Sequence, residues 1–69
     1  MESYQVVHDH RHDSWCLLRN SQNLKCSADK RDAVKLGQSL ARRGDQLVVE
    51  TETGAIENVF SYGPVTVEE

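Results

Sequence analysis

Short runs of apolar and β-branched residues alternate with polar clusters in the first part of the chain. The runs at residues 4–8 and 15–19 are separated by the polar stretch 9–14 and followed by an Asn- and Ser-rich cluster at 20–23. Apolar runs of this kind favour strands, and such polar clusters favour turns. The pattern predicts an antiparallel hairpin over a long loop. Residues 24–26 then either prolong the sheet edge or lead into the next element.

The hydrophobic period changes to that of a helix after Asp29. Asp29 suits an N-cap, and Asp32 stands three positions later, as in a capping box. Arg42 and Arg43 are expected in the last turn, with Gly44 at the C′ position. One continuous arc of the helical wheel collects the apolar positions Ala33, Val34, Leu36, Gly37, Leu40 and Ala41.

Three small residues lie four positions apart on this predicted helix. Ala33, Gly37 and Ala41 form a flat stripe, although glycine in a helix interior costs about 1 kcal/mol relative to alanine. We expect the helix backbone to lie close to a sheet along this stripe.

The second half of the chain predicts two further strands, at residues 46–50 and 55–60. Gly54 suits a positive φ in the loop between them, and Pro64 ends the last strand. Residues 1–64 are therefore predicted to form one α+β domain with a four-stranded antiparallel sheet, β-β-α-β-β, and one helix on one face. Residues 65–69 form a short tail that either frays or adds an edge strand. Four strand residues are expected to join the helix stripe in the core: Leu17, Leu47, Val49 and Ile56.

Length and composition restrict the classes of function. With 69 residues the chain has room for one core and no deep pocket besides. Its longest apolar run, at residues 15–18, is far shorter than the ~20 residues of a membrane span. The first residues do not resemble a signal peptide, so we expect a cytoplasmic protein. Cys16 and Cys26 are then expected to be reduced and to pack as small apolar residues.

Charge is distributed unevenly around the formal net value of −3. Residues 29–43 carry a net charge of +3, whereas residues 44–69 carry six acidic and no basic side chains. A helix with an outer basic face can contact phosphates, so nucleic-acid binding is an alternative function, although the acidic second half opposes it. The residues of this alternative are Lys30, Arg31, Lys35, Arg42 and Arg43.

Three histidines alternate along the predicted first loop. On an extended chain, His8, His10 and His12 point the same way and offer three ligands to a zinc, nickel or copper ion. Metal binding is thus a second alternative. The sequence contains no nucleophile elbow or phosphate-binding glycine loop, so we expect neither enzymatic activity nor a cofactor nor a small-molecule substrate.

A single sheet covered by one helix leaves its other face open. An exposed apolar face on so small a protein is usually covered by a second chain. The favoured hypothesis is therefore a non-enzymatic protein-interaction module, with a protein partner or a second copy of itself on this face or on an edge strand, and no membrane.

The order of several short motifs resembles a family of small uncharacterised bacterial proteins, known only as a domain of unknown function. The resemblance runs from Tyr4 to Gly63 and rests on weak motifs in a specific order. It implies a β-β-α-β-β domain of bacterial or phage origin and carries no activity or site residue. The motifs are Tyr4-x-Val6-Val7, Trp15, Asp32-Ala33, Leu40-Ala41, Leu47-Val48-Val49, Gly54-x-Ile56 and Ser61-Tyr62-Gly63.

Overall fold

The computed structural model describes residues 2–62, which form five strands and one helix. The strands lie side by side in the order β3-β2-β1-β4-β5. The β1–β4 pair is parallel, and the other three pairs are antiparallel. The elements are β1 (Ser3–Asp9), β2 (Ser14–Arg19), β3 (Gln22–Ser27), α1 (Lys30–Leu40), β4 (Asp45–Glu50) and β5 (Ile56–Tyr62).

The α+β class and the single helix are confirmed, but the four-stranded antiparallel sheet is wrong. Residues 22–27 form a strand of their own because Asn20 and Ser21 adopt φ values of 51° and 70°. Two successive positive φ angles are typical of the tight hairpin turn that folds a chain back on the preceding strand. After β3, the helix crosses over the sheet and returns the chain as β4, parallel to β1. The predicted tail at residues 65–69 lies outside the described residues.

The helix begins as predicted and ends earlier than predicted. The Asp29 side chain caps it by accepting a hydrogen bond from the Arg31 N–H at 2.9 Å. The helix ends at Leu40, so Arg42 and Arg43 do not lie in its last turn and Gly44 is not its C′ residue. The cause is a competing turn at residues 42–45, which is closed by two hydrogen bonds. The Asp45 N–H donates to the Arg42 carbonyl at 2.8 Å, and the Arg42 N–H donates to the Asp45 carboxylate at 2.7 Å.

The core lies between the helix stripe and the middle of the sheet. Its buried members are Tyr4, Val6, Leu17, Ala33, Leu47 and Val49. A Cβ placed on Gly37 would lie 3.0 Å from Leu47 Cδ1 and 3.1 Å from Leu17 Cδ1, which confirms the predicted close approach of the helix backbone. The prediction of Ile56 in the core is wrong. Ile56 pairs with Glu50 beyond an irregularity in the β4–β5 ladder and is 66% exposed.

Candidate functional site

The face of the sheet opposite the helix carries a continuous apolar band. Strand register places Leu18, Gln5, Val48 and Val59 side by side across four neighbouring strands. Val7 lies on the same face, two residues further along β1. We call this surface the open face, and it is defined by Gln5, Val7, Leu18, Val48, Ile56 and Val59.

The open face has almost no charge in its central rows. Glu50 stands near one end of β4, and its carboxylate accepts a hydrogen bond from the Gln5 side-chain amide at 3.3 Å. Val59 is 42% exposed, whereas Val7, Leu18 and Val48 are half-buried. Apolar side chains in contact with water over several adjacent strands favour association with another surface.

The two cysteines join neighbouring strands at the border of the open face. Cys16 on β2 is directly opposite Cys26 on β3, and the two form a disulfide. The predicted pair of reduced, buried thiols is therefore wrong: only Cys16 is buried. The register of the unexpected strand β3 brings the sulfur atoms together. Disulfides persist mainly in oxidising compartments, so the bond counts against the cytoplasmic location, which stays a prediction.

A groove lies on the opposite side of the sheet, between the helix and β5. The helix packs over β1, β2, β3 and β4 but does not reach β5, because one helix is narrower than a five-stranded sheet. The space left has a volume of about 300 Å³. Its floor is apolar and its rim is charged, with lining residues that include Arg31, Val34, Lys35, Val49, Glu57 and Phe60.

The five predicted nucleic-acid-binding cations do not lie on one element. Lys30 forms an ion pair with Glu57 of β5 and also lies 4.7 Å from the centre of the Trp15 ring. Arg31 and Lys35 are exposed on the helix, and no carboxylate within residues 2–62 lies within 4.0 Å of their charged nitrogens. Arg42 and Arg43 belong to the loop after the helix, which ends at Leu40. Nucleic-acid binding stays a prediction.

The structure brings two of the three predicted metal ligands together. The rings of His8 and His10 meet edge to face with their centres 4.5 Å apart. His12 instead bonds to Asp9, with 2.9 Å between His12 Nδ1 and Asp9 Oδ2. This hydrogen bond, more than the one from the Arg11 N–H, holds the pKa of Asp9 below its usual value.

His8 is the one member of this group that packs into the fold. Its side chain is 5% exposed and lies against Trp15, with 4.8 Å between the ring centres. Its Nε2 is 3.2 Å from the Asp13 carboxylate, whereas its buried Nδ1 has no hydrogen-bond partner among residues 2–62. Among residues 2–62, no three His, Cys, Asp or Glu side chains are arranged to hold a metal ion. Metal binding therefore stays a prediction without geometric support in this part of the chain.

Comparisons with known proteins leave the family open. No family model, curated protein or solved structure matches this chain. The resemblance to small uncharacterised bacterial proteins stays a prediction. Within the described range, α1 is both too short and too polar to cross a bilayer.

The sequence predicts an open face of the sheet but does not show which residues lie on it. The signal was in residues 47–49, where three apolar residues follow one another. Successive strand residues point to opposite faces, so such a run puts apolar side chains on both. Leu47 and Val49 face the helix, which leaves Val48 on the open face.

Proposed function

We propose that this protein is a small non-enzymatic interaction module that pairs with a second copy of itself through the open face. The observation that carries the proposal is the apolar band formed by Leu18, Val48 and Val59, which no other part of residues 2–62 covers. Burying such side chains removes apolar surface from water, which is the main favourable term in protein association.

A second copy is the partner that the charge distribution favours. In a two-fold symmetric dimer the same patch meets itself, so any charge near the symmetry axis faces its own equivalent. The central rows of the open face carry Gln5, Val7 and Val48, and the charged side chain beside them is Glu50, which accepts a hydrogen bond from the Gln5 side-chain amide. A two-fold axis through Val48 would place the two Glu50 side chains about 13 Å apart, because Glu50 is two strand residues from Val48, so self-association need not bring like charges into contact.

The dimensions of the face predict a weak dimer. Five strands at about 4.8 Å spacing, with some five residues each, give a surface of roughly 24 by 17 Å. The two copies together then bury on the order of 800 Å², below the size of a standard stable interface. We expect a dissociation constant in the micromolar range, with Kd from about 10 to 500 μM.

Sedimentation equilibrium tests this proposal. The wild-type chain is expected to change from monomer to dimer as its concentration rises through the micromolar range. Val48→Asp places a charge in the centre of the face and should keep the chain monomeric. Val59→Asp, at a more exposed position of the same face, should weaken the dimer and is a second variant should Val48→Asp unfold.

The matched control is Gln38→Asp, at an exposed position on the helix. It introduces the same charge on the other side of the molecule and should leave the dimer unchanged. Circular dichroism of each variant verifies that it is folded. A wild-type chain that stays monomeric at about 1 mM, or a dimer that both Asp substitutions on the open face leave intact, contradicts the proposal.

A further inference from the structure

Strand β5 lies at the edge of the sheet, and its two faces differ in chemistry. Ile56 and Val59 are exposed on the open face. On the helix face, Asn58 and Phe60 line the groove beside α1. Within residues 2–62, no strand pairs with the outer edge of β5. An edge of this kind offers unpaired backbone donors and acceptors to another extended chain.

The groove beside β5 carries an excess of positive charge. Its apolar lining residues are Val34 of the helix and Val49 and Phe60 of the sheet. Of the charged groups on its rim, Lys30 and Glu57 neutralise each other in an ion pair. Arg31 and Lys35 supply two further cations that no carboxylate of residues 2–62 contacts.

These two cations are spaced to match alternate residues of a strand. Arg31 and Lys35 are four helix positions apart, which corresponds to a rise of about 6 Å along the helix axis. Alternate residues of a strand are about 6.6 Å apart on the same face. The helix and β5 also run in the same direction, because Lys30 pairs with Glu57 near one end and Gly44 donates to the Tyr62 carbonyl near the other.

We infer that β5 accepts an extended acidic peptide as a sixth strand. Backbone hydrogen bonds to the edge hold the peptide, and its side chains alternate between the two faces. On the helix face, carboxylates two residues apart meet Arg31 and Lys35. On the open face, the intervening apolar side chains extend the surface formed by Ile56 and Val59. The recognised sequence therefore alternates acidic with apolar residues.

Fluorescence anisotropy with a labelled heptapeptide that alternates valine and glutamate tests this inference. The expected dissociation constant is about 10 to 200 μM in low salt. The double charge reversal Arg31→Glu with Lys35→Glu should weaken binding at least tenfold. The matched control is Arg43→Glu, an exposed cation in the loop outside the groove, which should leave binding unchanged.

Two control peptides separate strand addition from simple charge attraction. A peptide with lysine in place of glutamate should not bind. A peptide of the same composition with its glutamates grouped at one end should bind at least five times more weakly, because it does not match the alternation of β5.

The site of binding is mapped by ¹⁵N chemical-shift changes in the full chain. The inference requires changes in β5 and along Arg31 to Lys35. Changes confined to the opposite edge strand β3, equal binding of both glutamate peptides, or no binding at about 1 mM would overturn it. Stronger binding of single-stranded DNA at the same residues also overturns it, in favour of a nucleic-acid surface. Val48→Asp blocks the proposed dimer and should still bind the peptide, so the two proposals fail separately.

Discussion

Replacing Gly37 with alanine tests how closely the helix is packed on the sheet. In an open helix interior this change should stabilise the protein by about 1 kcal/mol, because alanine has the higher helix propensity. Here the added Cβ would lie 3.0 and 3.3 Å from the two Leu47 methyl groups and 3.1 Å from Leu17 Cδ1. Both leucines are fully buried, so neither can swing into solvent to make room. Overpacking of this kind costs typically 1–3 kcal/mol.

The two effects have opposite signs, and the steric term is the larger. We expect Gly37→Ala to lower the free energy of unfolding by about 1 kcal/mol, measured by urea denaturation. For a domain of this size that corresponds to a fall in Tm of roughly 4–8 °C. Gln38→Gly, at the exposed neighbouring position, measures the effect of helix propensity alone. It should lower the free energy of unfolding by slightly less than about 1 kcal/mol.

A double-mutant cycle with Leu47→Val separates packing from propensity. Valine at position 47 lacks the Cδ atoms that the new Cβ would meet. The contact with Leu17 Cδ1 remains in that background, so Gly37→Ala should become less destabilising by on the order of 1 kcal/mol, which is the expected coupling energy. If Gly37→Ala stabilises the otherwise unchanged protein by about 1 kcal/mol, the close approach of the helix to the sheet is refuted.

Three further predictions concern the parts that hold the sheet and helix in place. Reduction of the Cys16–Cys26 disulfide, which spans a sequence separation of 10, should cost about 2.5–3 kcal/mol in urea unfolding, and an unchanged midpoint contradicts this. Asp29→Ala removes the N-cap and should cost about 1 kcal/mol by the same assay; a loss no larger than that of an exposed mid-helix substitution contradicts the capping role. Asp45 accepts backbone hydrogen bonds from Arg42 and, secondarily, from Glu2, which lower its pKa below the ordinary 3.8. The stability that the charged Asp45 carboxylate gives the folded protein is fully present above the ordinary pKa and is lost as the pH falls through the lower pKa of the folded state. The Tm difference between wild type and Asp45→Asn should therefore be full at neutral pH and disappear only in strong acid; a difference independent of pH contradicts this.

Local patterns were sufficient for four of the strands and for the start of the helix, but not for β3, the end of the helix or the arrangement of the sheet. The N-cap at Asp29 and the glycine at position 37 follow from chemistry within one or two turns of helix. The parallel pairing of β1 with β4 depends on a crossover through β3 and the helix, and no residue within either strand encodes it locally. Strand β3 itself was ambiguous because its residues are nearly all exposed and show no clear alternation.

The candidate surfaces depend on that same arrangement. The open face joins residues from β1, β2, β4 and β5, so its apolar band appears only when the strand order is known. The disulfide likewise requires β3 to lie beside β2. The basic helix face could be predicted from the sequence. That Lys30 forms an ion pair whereas Arg31 and Lys35 do not could not be predicted, because the partner of Lys30 is Glu57, which lies 27 residues away in sequence.

Isotope-filtered NOE spectroscopy tests self-association through the open face most directly. A sample that mixes equal amounts of ¹³C-labelled and unlabelled chain, above the dissociation constant, reports only contacts between copies. The open-face dimer predicts intermolecular cross-peaks among the methyl groups of Leu18, Val48 and Val59. Intermolecular cross-peaks confined to the helix, or none in a sample that sedimentation shows to be dimeric, contradict it.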